Sequence, residues 1–439
     1  MPSIPQAPGA WPLLGHAVPL LRDPLAFLRT LPGYGPLVRV RIGPRPTVAV
    51  CDPELTRGIL LNDKLFDKGG PFWERVRDVT GKTNIIACPH AHHRRLRGLV
   101  QPAFRRELIP GYADLMTTGI NAAADGWRDG QVRDLLADVH DLTIKVTLDT
   151  LMYGTLPPHR LERLVGDIGT FLNAIYWRMF LPPGVAALPL PFNRRFEQAA
   201  ERIMATIDQF IAERRTVEDA PADLLAMLLA ETGAEGSLTD TELGEQAFAF
   251  FGAGVETTAS AITWALYLVS CHPGIERRLH QEVDEVTGGA PVSRQHLPGL
   301  GLTRAIVTEA LRLYPPGWFL TRTLTADTDL AGHRLPAGTD LIYSAYLVHR
   351  DAALYDRPDR FDPDRWLRRP APARTSFVAF GGGARKCVGD EFAMTEAVLA
   401  VAAIAARWRL TRVAPHRIRP SLSAAPIPAG LRMKVTART

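Results

Sequence analysis

The sequence predicts a mainly α fold with a small β region. Strand-like alternation is confined to short stretches, Leu37-Val-Arg-Val-Arg-Ile42 and Thr47-Val-Ala-Val-Cys51 near the start. The polar, Gly-containing Asp327–Thr339 reads as small hairpins. Helical periodicity dominates elsewhere. Ile203, Met204, Ile207, Phe210 and Ile211 recur at three and four and give one buried stripe. Thr239-Asp-Thr-Glu242 is a capping-box pattern, opening a helix that can continue to Cys271, just before Pro273. At 1.5 Å per residue that helix spans roughly 45–50 Å, enough to cross the molecule. It carries Gly252 and Gly254, each costing about 1 kcal/mol relative to Ala. Something must therefore approach the backbone there. Residues 355–386 are rich in Pro, Arg and Gly and read as irregular, and a last apolar helix runs from Val388 to Arg407.

Composition narrows the class. The 439 residues hold no Gly/Ser linker, low-complexity stretch or internal repeat, so residues 1–439 are expected to form a single domain large enough to bury a cofactor. The net charge of +5 is spread over scattered arginines, which speaks against a nucleic-acid partner. Four cysteines without C-x-x-C spacing suit a reducing compartment, not a disulfide scaffold or zinc ribbon. Neither a signal pattern nor a long apolar run opens the chain. The expectation is a cytoplasmic protein without a membrane anchor.

One cysteine has unusual surroundings, Phe380-Gly-Gly-Gly-Ala-Arg-Lys-Cys387-Val-Gly389. Three consecutive glycines permit backbone conformations and approaches denied to other residues. The N-terminus of the following helix favours a thiolate on Cys387. A thiolate can serve as an axial iron ligand whose electron donation favours O–O cleavage. Arg385 is then placed to pair with a haem propionate, and Phe380 to cover the sulfur. A phosphate-binding glycine loop is excluded, because neither G-x-x-x-x-G-K-[ST] nor G-x-G-x-x-G after a strand is present.

The pattern F-x-x-G-x-R-x-C-x-G is met in full and resembles the haem-binding loop of the cytochrome P-450 superfamily. The resemblance extends over nearly the whole chain, from Pro12-Leu-Leu-Gly15 onward. It implies the cytochrome P-450 fold, with haem b buried between the long central helix and the cysteine loop. Ala253-Gly254-Val-Glu256-Thr257-Thr258 resembles the family's oxygen-activation motif. There the small residues Ala253 and Gly254 open a groove beside the iron, Thr257 handles oxygen activation and Glu256 relays protons. The simpler alternative for Thr257 is a bond back to its own helix. Glu309-x-x-Arg312 resembles the family's helical acid–arginine pair, and with Arg360 of Pro358-Asp-Arg-Phe361 it implies a buried network supporting the cysteine loop.

Pro89-His-Ala-His-His93-Arg-Arg-Leu-Arg97 also raises a zinc site, but histidines this close diverge on a helix. The segment resembles the family's H-x-x-x-R helix, so His93 and Arg97 are carried over as propionate ligands, with Arg322 as a third. His90 and His92 are expected to be exposed.

Segments that line the family's substrate pocket are apolar here. They supply Phe72, Trp73 and Val76, then Phe171, Ile175, Tyr176, Met179 and Phe180, then Val255, Trp318, Phe319 and Ile427. Such a lining suits a compact hydrocarbon-like molecule. Gly69–Trp73, Tyr176–Arg195 and Trp318–Arg322 are most similar to bacterial terpene oxidases. The resemblance therefore implies a monooxygenase that uses O2 on a cyclic sesquiterpene or other terpenoid, as in secondary metabolism. The chain ends soon after its last helix, so electrons are expected from a separate ferredoxin and its reductase, delivered to a monomer. Lys386 with Arg94, Arg95, Arg105 and Arg106 would form the docking face. A monooxygenase of a polyketide, steroid or fatty acid, and a non-catalytic haem-binding protein, stay open as alternatives.

Overall fold

A computed structural model of the chain describes residues 3–12, 14–42, 45–151, 158–180, 188–216, 224–230, 238–368, 373–413, 418–422 and 425–438. Helix Asp240–Ser270 runs through the centre. Its capping box forms on both sides: Glu242 N–H donates to Thr239 Oγ1 at 3.2 Å, and Thr239 N–H to Glu242 Oε2 at 2.9 Å. Helices Leu135–Leu151, Pro191–Arg215, Gly301–Leu313 and Asp390–Arg407 pack around it. Most of its side chains are buried, because helices surround it rather than meeting one face. The expected stripe lies inside Pro191–Arg215, where Ile203, Ile207, Phe210 and Ile211 are buried.

The larger sheet is assembled from distant pieces, in the order Leu37–Ile42, Arg45–Val50, Asp340–Tyr343, Leu320–Leu324, Phe66–Asp67. Its first two strands are those read from alternation, paired antiparallel from Leu37 opposite Val50 to Ile42 opposite Arg45. A second sheet places Arg432–Ala437 between Val132–Asp134 and Trp408–Arg412. It was not anticipated, although Met433 and Val435 alternate inward in Arg432-Met-Lys-Val-Thr. The expected hairpin forms between Thr328–Leu330 and His333–Leu335. The last helix begins at Asp390, with Gly389 as its N-cap, so Cys387 and Val388 stay in the loop. Among the described residues, no helix is long and apolar enough to cross a membrane.

Candidate active site

A cavity of about 310 Å³ lies between the middle of the central helix and the cysteine loop. Ala253, Gly254, Thr257 and Thr258 form one wall, and Phe380, Gly381, Arg385, Cys387 and Gly389 form the opposite one. The loop is shaped by backbone contacts. Gly381 and Gly383 hold φ of 70° and 61°, a region that favours glycine. A Cβ on Gly383 would meet the Leu60 carbonyl oxygen at 2.2 Å, against helix Pro53–Leu61. Cys387 N–H donates to Phe380 O at 2.8 Å and closes the loop. Phe380 packs edge-on to Phe377 with 6.3 Å between centroids.

Burial pushes the Cys387 thiol up, opposed by a hydrogen bond from the Gly389 amide and by the charges of Arg97 and Lys386. A coordinated metal would deprotonate the thiol outright.

The central helix offers its two faces to different partners. Thr257 lines the cavity while its hydroxyl donates to Ala253 O at 2.6 Å, the back-bonded state. Glu256 is buried outside the cavity lining, and its Oε1 accepts from Ala425 N–H at 3.3 Å. On that same face Ser260 Oγ and Trp264 Nε1 both donate to Pro426 O, at 2.8 and 2.6 Å. Gly254 lines the cavity beside Thr147, whose Oγ1 stands 3.6 Å from the position a Cβ would take, an ordinary contact distance that does not demand a glycine. Gly252 is approached by no atom in that way.

Basic side chains gather on the cavity wall: Lys68, His93, Arg97, Arg322 and Arg385. Helix His90–Val100 supplies His93 and Arg97, one turn apart. Arg97 Nη1 donates to Lys386 O at 2.5 Å and ties that helix to the cysteine loop. Burial, helped by Arg385 and Lys68, lowers the His93 pKa to about 3, so this imidazole is neutral. His92 is exposed, as expected, whereas His90 is not simply exposed: its Nδ1 lies 3.1 Å from Asp63 Oδ2. Arg385 bonds Asp63, Asp67 and Cys88 O at 3.1, 3.2 and 2.8 Å. Lys68, at the end of strand Phe66–Asp67, escaped sequence reading because a lysine is ordinarily on the surface.

The residues fit a haem. A soft sulfur faces small residues across an apolar cavity, and buried donors without acceptors among the described residues, Arg322 Nε and Tyr343 OH, stand at its cationic wall. Two carboxylates would satisfy them.

The acid–arginine pair is fully buried, with Arg312 Nε and Nη2 each 2.8 Å from a Glu309 oxygen. The third guanidinium is a correction to the sequence reading. It belongs to Arg365, whose Nε donates to Glu309 Oε1 at 3.0 Å, while Arg360 is exposed and offers only its carbonyl to Arg312 at 3.1 Å. The turn Pro363–Trp366 swings Arg365 and Trp366 inward, and Trp366 Nε1 donates to Glu309 Oε2 at 2.9 Å.

The expected substrate residues disperse. Trp73 lines the cavity, its Nε1 held by Thr321 O at 3.0 Å. Phe171 does not, because it stacks on Phe196 at 5.2 Å in the core. Val255 sits in the same core, turned away by one helical step from Gly254. Trp318 and Phe319 pack with the N-terminal cluster, and Ile427 with Leu136 and Ala425. Phe72 and Val76 are partly buried but outside the lining, Phe72 packing edge-on against Trp73 and Phe319. The side chains of Ile175, Tyr176, Met179 and Phe180 lie outside the described residues. Sequence reading missed Phe104, Phe250 and Phe392, which line the cavity, with Phe104 in aromatic contact with each of the other two.

A cysteine loop facing a small-residue stretch of a long helix, across a cavity with a cationic wall, defines a haem-thiolate oxygenase. The chain belongs to the family described as Cytochrome P450, whose family model matches residues 5–430. It is 43% identical over 437 residues to "Pentalenene oxygenase" from Streptomyces avermitilis, covering 99% of this chain and 97% of that one. It is 43% identical over 433 residues to "Cyclooctatin synthase" from Streptomyces melanosporofaciens (96% and 94% covered). Over 414 residues it is 40% identical to that organism's "Cyclooctat-9-en-7-ol 5-monooxygenase" (93% and 89% covered). The protein is a cytochrome P450 monooxygenase of mainly α fold, with a haem-thiolate cofactor, O2 and electrons from a redox partner serving a hydrophobic substrate.

Proposed function

We propose that this monooxygenase hydroxylates an unactivated C–H bond of a cyclic terpenoid, with haem b ligated by Cys387. The observation that carries this reading is the apolar cavity, where Cys387 on one wall opposes Ala253, Gly254 and Thr257 on the other. Relatives named for pentalenene and cyclooctatin chemistry support the substrate class. When bound, the haem supplies the reduction of dioxygen and the oxidation of carbon. His93 and Arg97, with Arg322, would hold its propionate side, and Phe380 would cover the sulfur.

The remaining roles fall to this chain's side chains. Thr257 lets go of the Ala253 carbonyl and presents its hydroxyl to the cavity, where it delivers protons. Glu256 resupplies that hydroxyl by turning from the Ala425 amide toward the next residue on the helix. Trp73, Phe104 and Phe250 exclude water and hold a hydrocarbon by shape. Glu309, Arg312 and Arg365 keep the cysteine loop in register. On this reading residues 1–439 act as one catalytic domain and as a monomer.

Electrons come from a separate ferredoxin and its reductase, which docks on the face around Lys386. Arg94 and Arg105 are exposed there, and Arg95 and Arg106 reach Glu242 and Glu391. Turnover with ferredoxin should fall steeply as salt rises, as for association steered by opposite charges. A rate indifferent to ionic strength removes this face from the reading.

The direct test is titration of the ferric protein with cyclic sesquiterpene and diterpene hydrocarbons while following the Soret band. A saturable low- to high-spin shift is expected. A haem-thiolate spectrum that terpenes leave unmoved, but a polyketide, steroid or fatty acid shifts, replaces the substrate class.

A further inference from the structure

Glu309, Arg312 and Arg365 brace the cysteine loop without a hydrogen bond to it. Among the described residues, every hydrogen-bond partner of their side chains precedes Phe377. Their order therefore reaches the loop through another residue. His349 is fully buried, just after the short helix Ala345–Val348. Arg312 Nη1 donates to the His349 carbonyl at 2.7 Å, and His349 Nδ1 lies 3.0 Å from the Arg312 carbonyl. The two residues thus hold each other at both ends.

The other ring nitrogen faces the loop, where Nε2 accepts from Val378 N–H at 2.9 Å. A carbonyl opposite Nδ1 and an N–H opposite Nε2 admit one tautomer, with the proton on Nδ1. Val378 is where the loop takes its shape, since its carbonyl accepts from Gly381 N–H at 2.9 Å. One residue earlier in the turn, Phe380 O accepts from Cys387 N–H at 2.8 Å. The imidazole also stacks on Phe377, with centroids 5.3 Å apart and 9° between planes, and Phe377 meets Phe380 edge-on. Two side-chain contacts run in the same direction: Trp366 meets Phe377 edge-on at 5.3 Å, and Ser376 Oγ lies 3.2 Å from the Tyr355 hydroxyl. Neither grips the loop backbone.

We propose that His349 is the positioning residue that couples the buried ion-pair network to the cysteine loop, its Nε2 lone pair setting the bearing of Cys387 through Val378. This rests on the haem-thiolate reading of the cavity, and adds to it a residue that does not line the cavity. The ion pairs then act on the sulfur at one remove, through a single imidazole.

The test compares two half-mimics of the ring in the purified holoprotein. A Gln amide falls where Nε2 stands and can still accept from Val378 N–H, whereas an Asn amide falls where Nδ1 stands and serves Arg312 O alone. His349→Asn should shift the iron–sulfur stretching band in resonance Raman of the ferric protein. It should also speed, on the order of tenfold, the loss of the thiolate-type Soret band from the ferrous carbonyl complex, because a buried N–H is left without its acceptor. His349→Gln should hold both readouts near wild type, and so should Ser376→Ala, which cuts the Tyr355 contact instead. Val378→Pro removes the same N–H from the loop side, should reproduce the band shift, and carries the test if His349→Asn does not fold. Phe377 is already extended at φ −95° and ψ 100°, as suits a residue before proline. An unmoved band with wild-type decay in His349→Asn or in Val378→Pro overturns the proposal, as does an equal change in His349→Gln and His349→Asn. A wild-type protein with no haem-thiolate spectrum overturns instead the reading of the cavity itself.

Discussion

Removing the Arg365 guanidinium tests the network beneath the cysteine loop. In Arg365→Ala the Glu309 carboxylate loses the donor at 3.0 Å, and Asp356 O loses one at 3.1 Å. Glu309 keeps both Arg312 bonds at 2.8 Å, Trp366 Nε1 at 2.9 Å and the Asp362 amide at 3.0 Å. Breaking a buried pair costs about 3–5 kcal/mol when it strands a charge. Here the charge stays partly compensated, so about 3 kcal/mol is expected, the lower end of that range. Arg360→Ala is the matched control, because only its backbone carbonyl enters the network. An exposed side chain of that kind should change stability by no more than about 0.5 kcal/mol. The assay is denaturant unfolding of the ferric holoprotein, followed by helical circular dichroism and by the Soret band. Arg365→Ala should lose both signals at lower denaturant. Equal loss in the two variants, or a larger loss in Arg360→Ala, refutes the assignment of the third guanidinium.

Other perturbations have equally definite signs. Thr257→Ala should leave substrate-induced spectral changes in place and divert electrons to hydrogen peroxide, lowering product formation by up to roughly a hundredfold; unchanged product per electron counts against a proton role for the hydroxyl. Glu396 is buried, its Oε1 has no partner among the described residues, and burial raises its pKa well above 4.5. The folded chain holds this proton more tightly than the unfolded chain, so the group's contribution is favourable at low pH and is lost as pH rises above the ordinary carboxyl range. Glu396→Gln should therefore stabilise the protein at pH 7 by about 1–3 kcal/mol and gain nothing below the ordinary carboxyl pKa. A loss at pH 7 refutes it. His349 is held neutral, its pKa lowered to about 3 by burial first and then by Arg312, with Nδ1 3.0 Å from Arg312 O and Nε2 accepting from Val378 N–H at 2.9 Å. Its contribution is present above the unfolded pKa near 6.5 and is lost toward pH 3, at about 1.4 kcal/mol per pH unit. His349→Gln should flatten the acid side of the stability profile.

The cysteine loop was readable because many fixed residue types fall within ten positions, and each answers a local demand of the backbone or the sulfur. The central helix was readable for a similar reason, since Thr239 and Glu242 cap it within one turn. Arg360 and Arg365 lie in an irregular stretch without periodicity, so only the turn at Pro363 decides which side chain enters the core. Phe171 and Phe104 look alike in sequence, and which of them meets the cavity depends on helices brought together from far apart. Lys68 gave no local signal. Its burial follows from pairing Phe66–Asp67 with Leu320–Leu324, partners some 250 residues away.

Seating Gly383 on the carbonyl of Leu60 has a consequence for how the protein takes up its cofactor. A loop moulded by contacts within the polypeptide keeps its curvature before the ligand arrives. Little ordering entropy is then left to offset at the moment of capture, and the sulfur is presented at a fixed bearing. Helix Pro53–Leu61 acts as a jig for a cysteine more than three hundred residues downstream. Variation on that helix's inner side should therefore register first in the rate of cofactor insertion, before it shows in the spectrum of the finished protein.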